Sequence, residues 1–82
     1  MLAGIVEIDI HGMRRKEAKD FLEMRLQRMG REVYRVRVIH GFHGGTELRD
    51  MVRQELSKNP KVLRCEIGLN QGETDLVLRE YY

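Results

Sequence analysis

The stretch Ile5-Val6-Glu7-Ile8-Asp9-Ile10 alternates apolar and acidic residues, and His11-Gly12 ends it. Period-two alternation belongs to a strand with one buried face. It sends Val6, Ile8 and Ile10 one way and Glu7, Asp9 and His11 the other. The period then changes. Between Arg14 and Met29, the residues Ala18, Phe21, Leu22, Leu26 and Met29, with the stem of Arg25, make one helical stripe. Gly30 is placed to end that helix in a left-handed turn. Alternation returns from Tyr34 to Ile39, with Tyr34, Val36 and Val38 on one face and Arg35, Arg37 and Ile39 on the other. Strand, helix and strand in this order form a βαβ unit, whose strands are parallel and whose crossover is right-handed.

The rest of the chain extends the unit. His40-Gly41-Phe42-His43-Gly44-Gly45 is a glycine-rich turn, and Thr46 is a suitable N-cap. Leu48, Met51, Val52 and Leu56 form the stripe of a second helix, stopped by Asn59-Pro60. Leu63, Cys65 and Ile67 alternate with Arg64 and Glu66 in a third strand. After a turn at Gln71-Gly72, Leu76 and Leu78 alternate with Val77 and Arg79 in a fourth. The order β-α-β-α-β-β predicts an α/β two-layer sandwich, a four-stranded mixed sheet with both helices on one face. Alternating strands, in place of continuous apolar runs, leave the other face open. The expected core is Val6, Ile8, Ile10, Phe21, Leu22, Leu26, Val36, Val38, Met51, Val52, Leu56, Leu63, Cys65, Ile67, Leu76 and Leu78. The open face should carry Glu7, Asp9, His11, Arg35, Arg37, Arg64, Glu66, Val77 and Arg79.

At 82 residues the chain has room for one domain, spanning 1–82. With 41% hydrophobic and 34% charged residues it reads as globular. No apolar run approaches the roughly 20 residues of a membrane span. The first residues lack the basic region of a signal peptide. The expectation is a soluble cytoplasmic protein with no membrane partner. The lone Cys65 cannot form an internal disulfide, and no nucleophile motif surrounds it, so it reads as a small core residue. Net charge is only +2, but eleven arginines stand against four lysines. Arginine is the cation suited to bidentate phosphate contact.

Chemistry gathers in one place. His11, His40 and His43 all follow the C-terminal ends of the first two strands, the edge where open α/β sheets bind ligands. Asp9 and His11 leave the same strand face. The second helix starts at Gly44-Gly45-Thr46, where unpaired N–H groups suit an anion. A phosphate site beside imidazoles and a carboxylate is what phosphodiester cleavage needs. The same residues also fit a plainer reading, in which His40 packs inward, His43 is a loop tip and the glycines only turn the chain.

Two motifs favour the first reading. Ile8-Asp9-Ile10-His11 resembles the Leu-Asp-x-His signature of the Smr (small MutS-related) domain. His40-Gly41, with Gly44, Gly45 and the following Leu48-Arg49, resembles its His-Gly-x-Gly turn. The turn departs from the pattern by carrying Phe42-His43 and running one residue longer. The resemblance covers essentially the whole chain. It implies a fold similar to the C-terminal domain of bacterial translation initiation factor three. It also implies DNA or RNA as partner and, as in several members, a nicking or RNA endonuclease activity. The catalytic candidates are then Asp9, which orients His11, and His40 as general acid or base. Candidate nucleic-acid contacts are Arg35, Arg37, Gly41, His43, Gly44, Gly45, Thr46, Arg49, Arg53, Arg64 and Arg79. No metal site and no certain cofactor are assigned: one carboxylate and histidines can ligate a divalent metal, and could equally work metal-free. The alternative is a module that docks on nucleic acid or a ribosome without cutting.

Overall fold

The computed structural model describes residues 3–42 and 44–80. The elements are β1 (Ile5–Asp9), α1 (Arg15–Arg28), β2 (Arg35–Ile39), α2 (Glu47–Gln54), a 3₁₀ turn (Leu56–Lys58), β3 (Arg64–Glu66) and β4 (Glu73–Val77). β1 and β2 are parallel, while β4 runs antiparallel to both β2 and β3, so the sheet order is β1-β2-β4-β3. The last strand thus inserts between β2 and β3. This brings the C-terminal ends of β1 and β2 and the β3–β4 turn to one end of the sheet.

The core forms where one sheet face meets both helices. Ile8, Ile10, Val36, Val38 and Leu76 from the strand region pack with Ala18, Leu22 and Leu26 of α1 and Met51, Val52 and Leu56, none more than 3% exposed. Burying each of the larger side chains contributes about 1.5–3 kcal/mol. Glu55, after α2, takes both Arg15 and Lys19 of α1 in ion pairs, which ties the two helices at their solvent side.

Two expected core residues fail at the sheet edge, and one open-face residue is buried in the middle of the sheet. Leu63 and Ile67 are 55% and 64% exposed, because β3 is a three-residue edge strand and only its Cys65 packs against the core. Val62, just before β3, is buried in their place. Val77 does lie on the open face, yet it is 2% exposed, since its register partners on either side are Arg35 and Arg64. Long arginine stems cover apolar surface while their heads stay at the edge. Burial also pushes the Cys65 thiol up, as suits a packed, inert cysteine.

The helix ends differ too. Gly30 does not adopt a positive φ. α1 instead ends at an extended Met29, and Lys61 closes it from a distance: its Nζ donates to the carbonyls of Leu26, Gln27 and Met29 at 2.9, 3.2 and 3.0 Å. A cation at the negative end of a helix dipole meets its last carbonyls, of which Leu26 O also accepts from the Met29 N–H at 3.2 Å. Lys61→Met, which keeps the stem and removes the charge, should cost about 1 kcal/mol. Thermal denaturation would read this as a midpoint lowered by about 4–8 °C. Thr46 holds the N-cap position of α2, but its hydroxyl makes no capping bond.

Candidate functional site

Backbone pairing carries β1 one step beyond its formal end, through Ile10 N–H to Ile39 O at 2.9 Å. Ile10 is fully buried and anchors the chain, and His11 turns outward beside it. Asp9 Oδ1 accepts twice from that residue, from the backbone N–H at 3.0 Å and from ring Nδ1 at 2.5 Å. These two donors hold the Asp9 carboxyl below its usual range. With Nδ1 engaged, Nε2 is the ring atom left to exchange protons. The two side chains remain 69% (His11) and 50% (Asp9) exposed.

His40 is placed quite differently. It extends the apolar face of β2 and is only 5% exposed. Nδ1 donates to Gly41 O at 2.8 Å, and Nε2 lies 2.9 Å from Thr74 Oγ1, which also accepts from Arg53 Nε at 2.9 Å. A neutral ring protonated on Nδ1 satisfies every contact, with the threonine hydroxyl donating to Nε2. Burial is the main force pushing the His40 pKa down, and the Arg53 and Arg49 charges add to it. The structure therefore gives His40 no free ring nitrogen for the acid–base role expected from the sequence. It is a buried clamp between the glycine turn, β4 and α2.

A depressed histidine has a stability consequence of definite sign. The folded form resists protonation, while the unfolded chain takes up a proton near the ordinary value of 6.5. Stability is thus complete above that pH and is lost as pH falls from it toward the lower folded-state value. Melting temperatures of the wild type should drop as pH falls below about 6.5, and His40→Asn should flatten the drop. Equal slopes in the two proteins would show that His40 does not titrate this way.

Next to the clamp the turn is pinned. The N–H groups of His40 and Gly41 donate to Gly72 O at 2.9 and 3.0 Å. Gly41 and Gly45 have φ of +75° and +96°, a region that L side chains rarely adopt. Above this end of the sheet lies a cavity of about 700 Å³, lined among others by His11, His40, Gly41, Gly44, Gly45 and Leu48. The first turn of α2 opens onto it. Asn70 and Gly72 of the β3–β4 turn and Glu73 at the start of β4 also line it, and they were not among the expected site residues. Their signal in the sequence was only that of a turn.

The expected arginines do not converge on the cavity. Arg35 pairs with Asp75 at 2.7 Å and Glu66 at 2.8 Å, and Arg37 with Asp75 at 3.1 Å. Arg64 pairs with Glu66 and Glu80, both at 2.9 Å, and Arg79 donates to Arg31 O. The arginine-bearing sheet face is thus a ladder of internal ion pairs. Arg53 joins the His40 clamp, and Arg49 pairs with Asp50 in α2 at 3.2 Å. His43 lies outside the described residues. Among the described residues no three His, Cys, Asp or Glu side chains are grouped to hold a metal. No described helix is long and apolar enough to cross a membrane.

The same arrangement of strands occurs in the crystal structure of the Smr domain of Thermus thermophilus MutS2. That chain superposes with a TM-score of 0.81 at 24% identity, over 92% of this chain and 99% of the other. At that identity the likeness is one of fold. No curated protein matches the chain. The profile of the Smr domain matches residues 8–75. Those limits run from Ile8 in β1 to Asp75 in β4, and so take in the Asp9–His11 pair, the glycine turn and the His40 clamp. The chain belongs to the Smr domain family.

Proposed function

We propose that this domain binds nucleic acid, DNA or RNA, at the cavity and cleaves phosphodiester bonds there. The observation that carries the reading is the Asp9–His11 pair, in which His11 lines the cavity and its Nδ1 is held by the carboxylate. A carboxylate that fixes the ring's tautomer and orientation prepares the other nitrogen for proton transfer. Backbone N–H groups at the Gly44–Gly45 turn and the start of α2 receive the phosphate. Arg49 and Arg53, both on α2, supply positive charge close by. His40 acts as a positioning residue that keeps Gly41 in its left-handed conformation, and the proton passes through His11.

One observation favours a second reading, a binding module without cleavage. Hydrolysis requires a base and an acid, and the second imidazole has both nitrogens engaged. The two readings separate in a cleavage assay on single-stranded RNA, duplex DNA and supercoiled plasmid, with and without a divalent cation. Product in any of the three supports the nuclease. Binding without product supports the module, whose partner would be free nucleic acid or the RNA of a ribosome.

A further inference from the structure

The exposed Leu63 and Ile67 flank Arg64-Cys65-Glu66, which is the whole of β3. β3 is an edge strand, and among the described residues its one strand neighbour is β4. Leu63 N–H donates toward that neighbour, to Val77 O at 2.7 Å. Peptide groups alternate in direction along such a strand, so the N–H and C=O of Arg64 and Glu66 point the other way, off the sheet. An edge of this kind is a template for another strand, and proteins blunt it with charge, brevity or cover. β3 is short, but apolar side chains continue its line at both ends.

The order of side chains says which strand fits. Leu63-Arg64-Cys65-Glu66-Ile67 runs apolar, basic, small, acidic, apolar. Laid antiparallel against its own copy with Cys65 facing Cys65, Arg64 of each chain stands opposite Glu66 of the other, and Leu63 opposite Ile67. Directly opposite residues share a face of the sheet and interact as pairs. Two ion pairs would then fall on the open face. Two apolar pairs would fall on the helix side, where Cys65 already packs against the core. Arg64 Nε holds its own Glu66 at 2.9 Å, so the four charges would close into a ring of alternating sign. A slip of one residue sets Arg64 or Glu66 opposite Cys65, and a slip of two sets like charges against each other. The other edge of the sheet lacks this symmetry. Pairing β1, Ile5-Val6-Glu7-Ile8-Asp9, with its copy about Glu7 or Ile8 brings carboxylate against carboxylate.

We propose that β3 is a self-association edge, at which two copies of this chain join antiparallel about Cys65 into one continuous sheet with four strands from each. The two-fold axis stands perpendicular to the sheet. Both helix layers then lie on the same side, and the two cavities open at opposite ends of the dimer. The proposal stands on the charge and apolar pattern of β3 and is independent of what the cavity binds. The contact is small, so the dimer forms and dissociates with concentration.

The test is sedimentation velocity over rising protein concentration. The wild type should pass reversibly from the mass of one chain to that of two. Arg64→Glu alone and Glu66→Arg alone should each weaken that equilibrium about 10-fold or more, because both cross-strand pairs then set like charges together. An equimolar mixture of the two variants should dimerise again, since every acidic side chain of one then faces an arginine of the other. Ile67→Ser should also weaken the dimer. Its side chain is exposed in the single chain, so it should melt near the wild-type temperature and keep the test decisive should a charge reversal disturb folding. A wild type that stays monomeric throughout would overturn the proposal and leave the edge to an extended segment of another protein. A dimer indifferent to Ile67→Ser and to both reversals would place the contact elsewhere and overturn it as well. So would reversals that weaken the dimer, melt like the wild type and do not recover in the mixture, because the register would then be wrong.

Discussion

Replacing His11 with alanine is expected to lower the proposed phosphodiester cleavage by at least about 100-fold, the scale of a lost acid–base group. The expectation follows from where the ring stands. It is exposed at the cavity rim and makes no contact on which the core depends, so the substituted protein should melt like the wild type. Asp9→Asn should cost nearly as much, since an amide can no longer accept from both donors with a full negative charge. The Asp9 carboxyl is held below its ordinary range, so its loss of charge by acid lies below about pH 4. Any fall in rate near neutrality therefore reports another group. His40→Ala should also reduce the rate, but together with a lower melting temperature, because it opens the bonds to Gly41 and Thr74. That pairing of effects separates a positioning residue from a proton carrier. A folded His11→Ala protein that cuts at the wild-type rate would end the assignment.

The difference between the two histidines marks how far the sequence could be read. Alternation over 5–10 and 34–39 was enough to orient β1 and β2, and it placed Ile8, Val36 and Val38 in the core. It failed on β3, because the same alternation at Leu63, Cys65 and Ile67 says nothing about whether a helix lies above the strand. His11 and His40 each follow a strand, and only their parity differs. His11 continues the face of Glu7 and Asp9, while His40 continues the buried face of Val36 and Val38. The partners that immobilise His40 come from Thr74 and Arg53, distant in sequence, and the Lys61 cap on α1 is equally non-local. Carboxylates explain the remaining discrepancy. Asp75 was not among the residues expected on the open face, because the fourth strand was read from Leu76 onward. Its position between Arg37 and Glu66 emerges only from the register of three strands.

Asp75→Ala is the substitution expected to show what that register achieves. The side chain is 16% exposed, and its two oxygens serve Arg35 Nη1 at 2.7 Å and Arg37 Nε at 3.1 Å. Without it two guanidinium groups on adjacent positions of one face of β2 lose their shared counter-charge. Arg35 keeps Glu66, while Arg37 keeps only Glu73 and Glu7, each at 3.8 Å. Exposed pairs are worth about 0–1 kcal/mol, and breaking a buried one costs about 3–5. A carboxylate that is mostly but not fully covered, with two partners, falls between, at about 2 kcal/mol. For a domain of this size that lowers the melting midpoint by about 8–16 °C. Glu80→Ala, which removes a partner of the more exposed Arg64, should cost much less. The same experiment bears on ligand binding. Arginines whose charge is met within the sheet contribute little to counterion release, so the salt dependence of polyanion binding should come from the cavity and α2. If Asp75→Ala melts with the wild type, the ladder is not holding these guanidinium groups. Arg35 and Arg37 then return to the account as free phosphate contacts, and the binding surface extends from the cavity across the sheet.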